Sequence, residues 1–108
     1  PVLCGDFNAE PMSDEIRALT GLTTSATEGM VFHDAWVAAG EGTGYTWDVK
    51  NPFAAAEFEP NRRIDYIFAG HPKARGRGHV TGIEITGNKP IEGTWPSDHF
   101  ALLAQIRY

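Results

Sequence analysis

Val2-Leu3-Cys4-Gly5-Asp6-Phe7-Asn8 opens the chain, and the rest of the fold is read outward from it. Val2, Leu3 and Cys4 form a short apolar run, which predicts a buried strand. Gly5 removes side-chain bulk where that strand meets a polar tip. Side chains alternate along a strand, so Asp6 and Asn8 are expected on one side, with Phe7 turned back to the core. A carboxylate and a carboxamide are thereby presented together at a strand end, where sheet proteins often place their chemistry. Asp6 can take a proton or hold a metal, and Asn8 can donate to an oxyanion or accept from a donor. The same pair also suits a plain turn, because Asx side chains cap their own backbone.

Arg63-Ile64-Asp65-Tyr66-Ile67-Phe68 is the clearest strand further on, ended by Gly70-His71-Pro72. Ile64, Tyr66 and Phe68 share one face; Arg63, Asp65 and Ile67 share the other. Two charges on so apolar a strand want partners, since an unpaired buried carboxylate is costly. A structural Arg–Asp pair is one answer and a functional site is another. Val80 to Thr86 alternates in part and predicts a further strand. Trp95-Pro96-Ser97-Asp98-His99 then leads into the apolar run Phe100 to Ile106, which predicts a central strand. Asp98 and His99 therefore stand just ahead of one strand, as Asp6 and Asn8 stand just after another.

Between these strands lie two expected helices. Ser13 is a plausible N-cap, with Asp14 and Glu15 at the positive end of the dipole and Ile16 and Leu19 on an apolar side, over 13–22. Val31 to Ala39 predicts a second helix, with Phe32, Ala35 and Trp36 on one face and Gly40 as its stop. Residues 20–29 read as loop, and from Gly40 to Pro60 there is little periodicity beyond an extended Tyr45-Thr46-Trp47. A loop that long in a small domain is usually functional or locally disordered. Trp47 reads as a loop anchor before a binding platform, and Lys73, Arg75 and Arg77 as a solvated basic loop.

The 108 residues are 42% hydrophobic and 21% charged, which is ordinary globular material and enough for one small domain. Residues 1–60 carry ten acidic and two basic side chains (−8), and 61–108 carry four and seven (+3). The acidic half argues against blanket binding to a phosphate backbone, while the basic half can face an anion. The single Cys4 excludes an internal disulfide and reads as a buried small hydrophobe. No apolar run approaches the roughly 18 residues of a membrane span. The chain starts directly inside a strand without a Met, so a piece of a longer protein is expected.

Three strand ends thus offer Asp6 with Asn8, Asp65, and Asp98 with His99. Hard oxygen donors with one His suit Mg²⁺ or Mn²⁺ better than a closed zinc site. The inventory matches metal-assisted phosphoester hydrolysis. A serine-triad reading would need Ser97 with His99 and lacks a third orienting member.

These stretches, Gly5-Asp6-Phe7-Asn8, Arg63-Ile64-Asp65-Tyr66 and Ser97-Asp98-His99, resemble the endonuclease/exonuclease/phosphatase superfamily of deoxyribonuclease I, exonuclease III and the inositol-phosphate 5-phosphatases. The resemblance implies that Asp6 orients or deprotonates the attacking water and that Asn8 holds the scissile phosphate. Asp65 would hold His99, His99 would stabilise the transferring phosphoryl group, and Asp98 would lie near the metal. It implies an α+β fold, the C-terminal half of a four-layer α/β/β/α sandwich, with one mostly antiparallel sheet and helices on one face. The half that would bring the metal-binding Glu lies outside these residues, so the piece by itself is expected to be inactive. It is also expected to associate with that half or with itself through an uncovered apolar face of the 63–69, 80–86 and 100–107 strands. The substrate would be a phosphate ester, either a nucleic acid or a phosphorylated small molecule or lipid. A catalytically dead binding or scaffold domain that keeps the fold is the competing reading.

Overall fold

The computed structural model describes residues 1–25 and 27–108. Five strands and three short helices follow one another as β1 (Val2–Asp6), α1 (Asp14–Leu19), β2 (Phe32–Asp34), α2 (Ala35–Ala39), α3 (Pro52–Ala56), β3 (Asp65–Gly70), β4 (Val80–Thr86) and β5 (Ala101–Ile106). The fold is mixed α+β with antiparallel pairing throughout. The strands form two hydrogen-bonded sets where one sheet was expected: a three-stranded sheet in the order β1-β3-β2 and a β4-β5 ribbon.

β3 is the hub, because its residues alternate between two packed environments. Tyr66 and Phe68 point to one side and form a core with Ile16 of α1, closed by Phe7, Leu19 and Phe32. Phe7 meets both aromatic rings edge-on, at centroid distances of 5.6 and 5.3 Å. Ala69 points to the other side, in a cluster with Ala35 of α2 and Val80 of β4 that Ile67, Ile83 and Ile106 extend. A third cluster joins Trp47, Ala54 and Ile64.

Several expectations change here. β1 forms as a strand but is exposed along its whole length, Cys4 included, because it is the edge of its sheet and no element of the described residues covers it. Exposed apolar side chains lie at Val2 and Leu3 on β1 and also at Leu103 on β5, one of the strands expected to be open, while Ala69 on β3 is buried against the ribbon and α2. β5 is not central; among the described residues it pairs only with β4, and its residues alternate between exposed and half-buried. The helix expected over 31–39 is a strand followed by a helix: Phe32–Asp34 pairs with β3, and Asp34 then caps α2 by accepting from Trp36 N. The unpatterned 40–60 stretch contains α3, started by an Asn51 cap and Pro52 at the first helical positions. α1 begins after Ser13 as expected, though the Ser13 side chain makes no capping bond.

Arg63 takes its partner from β2. Its Nη1 donates to Asp34 Oδ2 at 2.7 Å, both side chains are about 5–6% exposed, and the guanidinium lies 4.8 Å above the Tyr66 ring. Asp34 thus uses one oxygen to cap α2 and the other to neutralise a buried cation. Among the described residues no helix is long and apolar enough to cross a membrane. The chain exposes 7097 Å², against about 5,900 Å² for a compact monomer of 11.8 kDa, so its surface is incompletely covered.

Candidate active site

Pairing of β1 with β3 sets Asp6 directly opposite Asp65. Like charges opposite one another destabilise a sheet, so this pair calls for something positive between them. His99 arrives from the segment before β5, and its Nδ1 lies 2.8 Å from Asp65 Oδ2. One donor atom each from Asp6, Asp65 and His99 falls within 4.8 Å of the others. The two carboxylates at that spacing offer oxygen donors suited to a hard divalent cation whose remaining positions are taken by water or other oxygens, with the His99 ring beside them. Asp65 and His99 are each 22% exposed at the side chain and Asp6 is open, so the group is reachable from solvent.

The polar tip after β1 is built differently from a simple pleat. The strand ends at Asp6, Phe7 N donates to Ile64 O, and Asn8 turns into the left-handed region at φ 48°. Asn tolerates that conformation better than most residues. Asn8 N donates to Asp6 Oδ1 at 2.8 Å, so the Asx turn and the candidate site are the same structure. Asp6 Oδ1 is thereby oriented, and Oδ2 makes no protein hydrogen bond among the described residues.

Two buried residues of the 40–60 stretch hold the other side of the site, and sequence patterning did not single them out. Thr46 is fully buried; its Oγ1 accepts from Ile64 N and Asp65 N at 3.3 and 3.2 Å, and its carbonyl accepts from Phe100 N at 2.7 Å. It ties the start of β3 to the residue after His99. Asn51, also fully buried, accepts from Phe53 N to cap α3 and donates to the Ser97 carbonyl at 2.7 Å. The signal that pointed here was the length of the unpatterned stretch, and Asn51-Pro52 is a helix-start pattern. Trp47 is an anchor, 8% exposed, with its ring edge-on to His99 at 5.0 Å between centroids.

Asp98 stands apart from the three-donor group. It is exposed, and its Oδ1 accepts from Ser97 Oγ at 3.1 Å. With Asn8 and His99 it lines an open cleft of about 690 Å³, whose lining also includes Phe53, Glu59, Arg62 and Trp95. Arg62 is paired with Glu59 there. Of the five site residues read from sequence, the structure gathers Asp6, Asp65 and His99 within a few ångströms and sets Asn8 and Asp98 on the adjoining cleft.

The site is thus a sheet edge with opposed carboxylates, an anchored imidazole and a turn-borne amide. The sequence model of the Endonuclease/Exonuclease/phosphatase family matches residues 1–99, and the chain belongs to that family. No curated protein and no solved structure matches it.

Proposed function

We propose that the chain is the C-terminal part of a divalent-metal-dependent phosphoesterase that hydrolyses a phosphate ester with an activated water. The observation that carries the reading is Asp6 opposite Asp65 with His99 hydrogen-bonded to Asp65, an arrangement that costs stability unless the site has a use. Mg²⁺ or Mn²⁺ is the cation these donors suit, and when bound it supplies positive charge beside the phosphoryl oxygens. Asp6, with one oxygen fixed by Asn8 N, orients and deprotonates the attacking water through the other. The Asn8 carboxamide donates to a phosphoryl oxygen. Asp65 fixes the His99 ring through Nδ1, leaving Nε2 to stabilise charge on the transferring group. Asp98, exposed on the same cleft, would lie near the ion.

The incomplete surface cover supports a partner for this piece. On the family resemblance, that partner is the N-terminal half of the domain, which brings further metal donors; without it the piece self-associates through its open strand edge and hydrolyses nothing. The test is a phosphodiesterase assay on the whole domain with bis-p-nitrophenyl phosphate, with and without chelator. Activity that needs Mg²⁺ or Mn²⁺ supports the proposal, and activity in excess chelator defeats the metal mechanism. A folded domain inert with either ion would instead be a binding domain that keeps the fold.

A further inference from the structure

A second group of ligand-type side chains sits at the opposite end of β3. His33 on β2 is paired in register with Ala69, and His71 lies two residues beyond Ala69, so the two rings are diagonal neighbours across the strand pair. His33 Nε2 and His71 Nδ1 are 3.0 Å apart, with ring centroids at 5.1 Å and planes tilted by 46°. Neither ring pairs with a carboxylate among the described residues. His71 is exposed and His33 half-buried, so the facing nitrogens open to solvent on one side.

We propose that His33 and His71 form a two-imidazole binding site for a borderline divalent cation, Ni²⁺ or Cu²⁺ ahead of Zn²⁺. The spacing selects the geometry. With metal–nitrogen bonds of about 2.0–2.1 Å, nitrogens 3.0 Å apart subtend about 90–97° at the ion, the cis angle of square-planar or octahedral coordination. A tetrahedral ion would need about 3.3 Å, so Zn²⁺ binds only after the rings part. Square-planar and tetragonal nitrogen sites suit Cu²⁺ and Ni²⁺, and affinity for nitrogen donors rises toward copper.

One of the two nitrogens carries the proton they share. Ligation moves it to that ring's other nitrogen through solvent, and small ring rotations that keep the nitrogens about 3.0 Å apart aim both lone pairs at the ion. Both imidazoles stay neutral and no proton is lost overall. The strands fix the two backbones beforehand, so only side-chain rotation is spent on binding. The remaining positions on the ion go to water. This site is chemically distinct from the carboxylate-rich group at Asp6, Asp65 and His99, which suits hard ions. Six residue steps of about 3.3 Å along β3 separate Asp65 from His71, roughly 20 Å.

The test is calorimetric titration of Ni²⁺ and Cu²⁺ into the folded chain and into His33→Ala, His71→Ala and His79→Ala, each checked by circular dichroism. His33→Gln replaces His33→Ala if the latter does not fold. A binding event is expected that is weakened at least about tenfold by loss of either His33 or His71 and unchanged by His79→Ala. Excess Mg²⁺ should not compete. Titration curves for His33→Ala and His71→Ala that superimpose on the parent's overturn the proposal, and so does the absence of binding.

Discussion

Asp65 Oδ2 lies 2.8 Å from His99 Nδ1, joining the first residue of β3 to the segment just ahead of β5. Asp65 belongs to the three-stranded sheet and His99 leads into the β4-β5 ribbon, so their contact joins the two parts of the candidate site, beside the links through Thr46. A ring held at Nδ1 by a carboxylate presents Nε2 in one orientation. In the whole domain, His99→Ala and Asp6→Asn should each lower phosphodiester hydrolysis by about 10²–10⁴-fold with the fold retained. Asp65→Asn should lower kcat more than it alters KM, because it loosens the ring without touching substrate. Rates within a factor of two of the parent for His99→Ala would remove His99 from the mechanism.

The opposed carboxylates make a separate prediction that needs no activity. Asp6 and Asp65 face each other across β1 and β3, and such like-charge pairs cost about 0.2–1 kcal/mol. Without divalent cations, Asp6→Asn should therefore match or slightly exceed the parent in urea stability. Adding Mg²⁺ or Mn²⁺ should reverse the order, since only the parent keeps both carboxylates for the ion. Equal stabilisation of parent and Asp6→Asn by the cation would show that Asp6 does not hold it.

Thr46 and Asn51 should matter as much to the site as the residues that line it. Thr46→Val takes the acceptor from two backbone N–H groups at the start of β3, and each orphaned group costs about 1–3 kcal/mol. Asn51→Ala removes both the α3 cap, worth about 1 kcal/mol, and the bond to the Ser97 carbonyl. Urea denaturation reads the stability loss. Amide shifts at Asp65 and His99 read the displacement, and unchanged shifts there would mean that these clamps do not reach the site.

How far the sequence disclosed this depends on what kind of signal each element carries. β3 was legible because Ile64, Tyr66 and Phe68 alternate with residues facing a second environment, and Asp65 and Arg63 stood out as charges needing partners. The partners were not legible: Arg63 finds Asp34 and Asp65 finds His99, contacts 29 and 34 residues apart that no local pattern encodes. The 31–39 stretch misled because Phe32, Ala35 and Trp36 fit a helical period. Pairing of Phe32–Asp34 with β3 overrides that local preference, and Asp34 restarts the chain as a helix. β1 and β5 are apolar enough to read as buried, yet apolarity reports the need for cover and not its presence. Asp6 and Asn8 were found for an incomplete reason, since a left-handed turn and not strand alternation places Asn8.

Tyr66 makes the last prediction, one of pH. Its hydroxyl donates toward the Ala9 and Arg63 carbonyls, at 2.7 and 2.9 Å, which ties the turn after Asn8 to β3. Burial pushes that hydroxyl well above its ordinary value of 10.0; the Arg63 guanidinium opposes the shift, and the Asp34, Glu10 and Asp65 carboxylates add to it. The folded chain therefore holds this proton more tightly than the unfolded chain does. The resulting stability is fully present below 10.0 and is lost as pH rises from there toward the folded value. The urea midpoint should fall above about pH 10, and Tyr66→Phe, which has no proton to lose, should show a shallower fall. Other groups also titrate in that range, so the difference between parent and variant carries the result. Tyrosinate absorbance should show one of the three tyrosines ionising only as the chain unfolds. Parallel alkaline losses in parent and Tyr66→Phe would mean that the buried hydroxyl is not linked to folding.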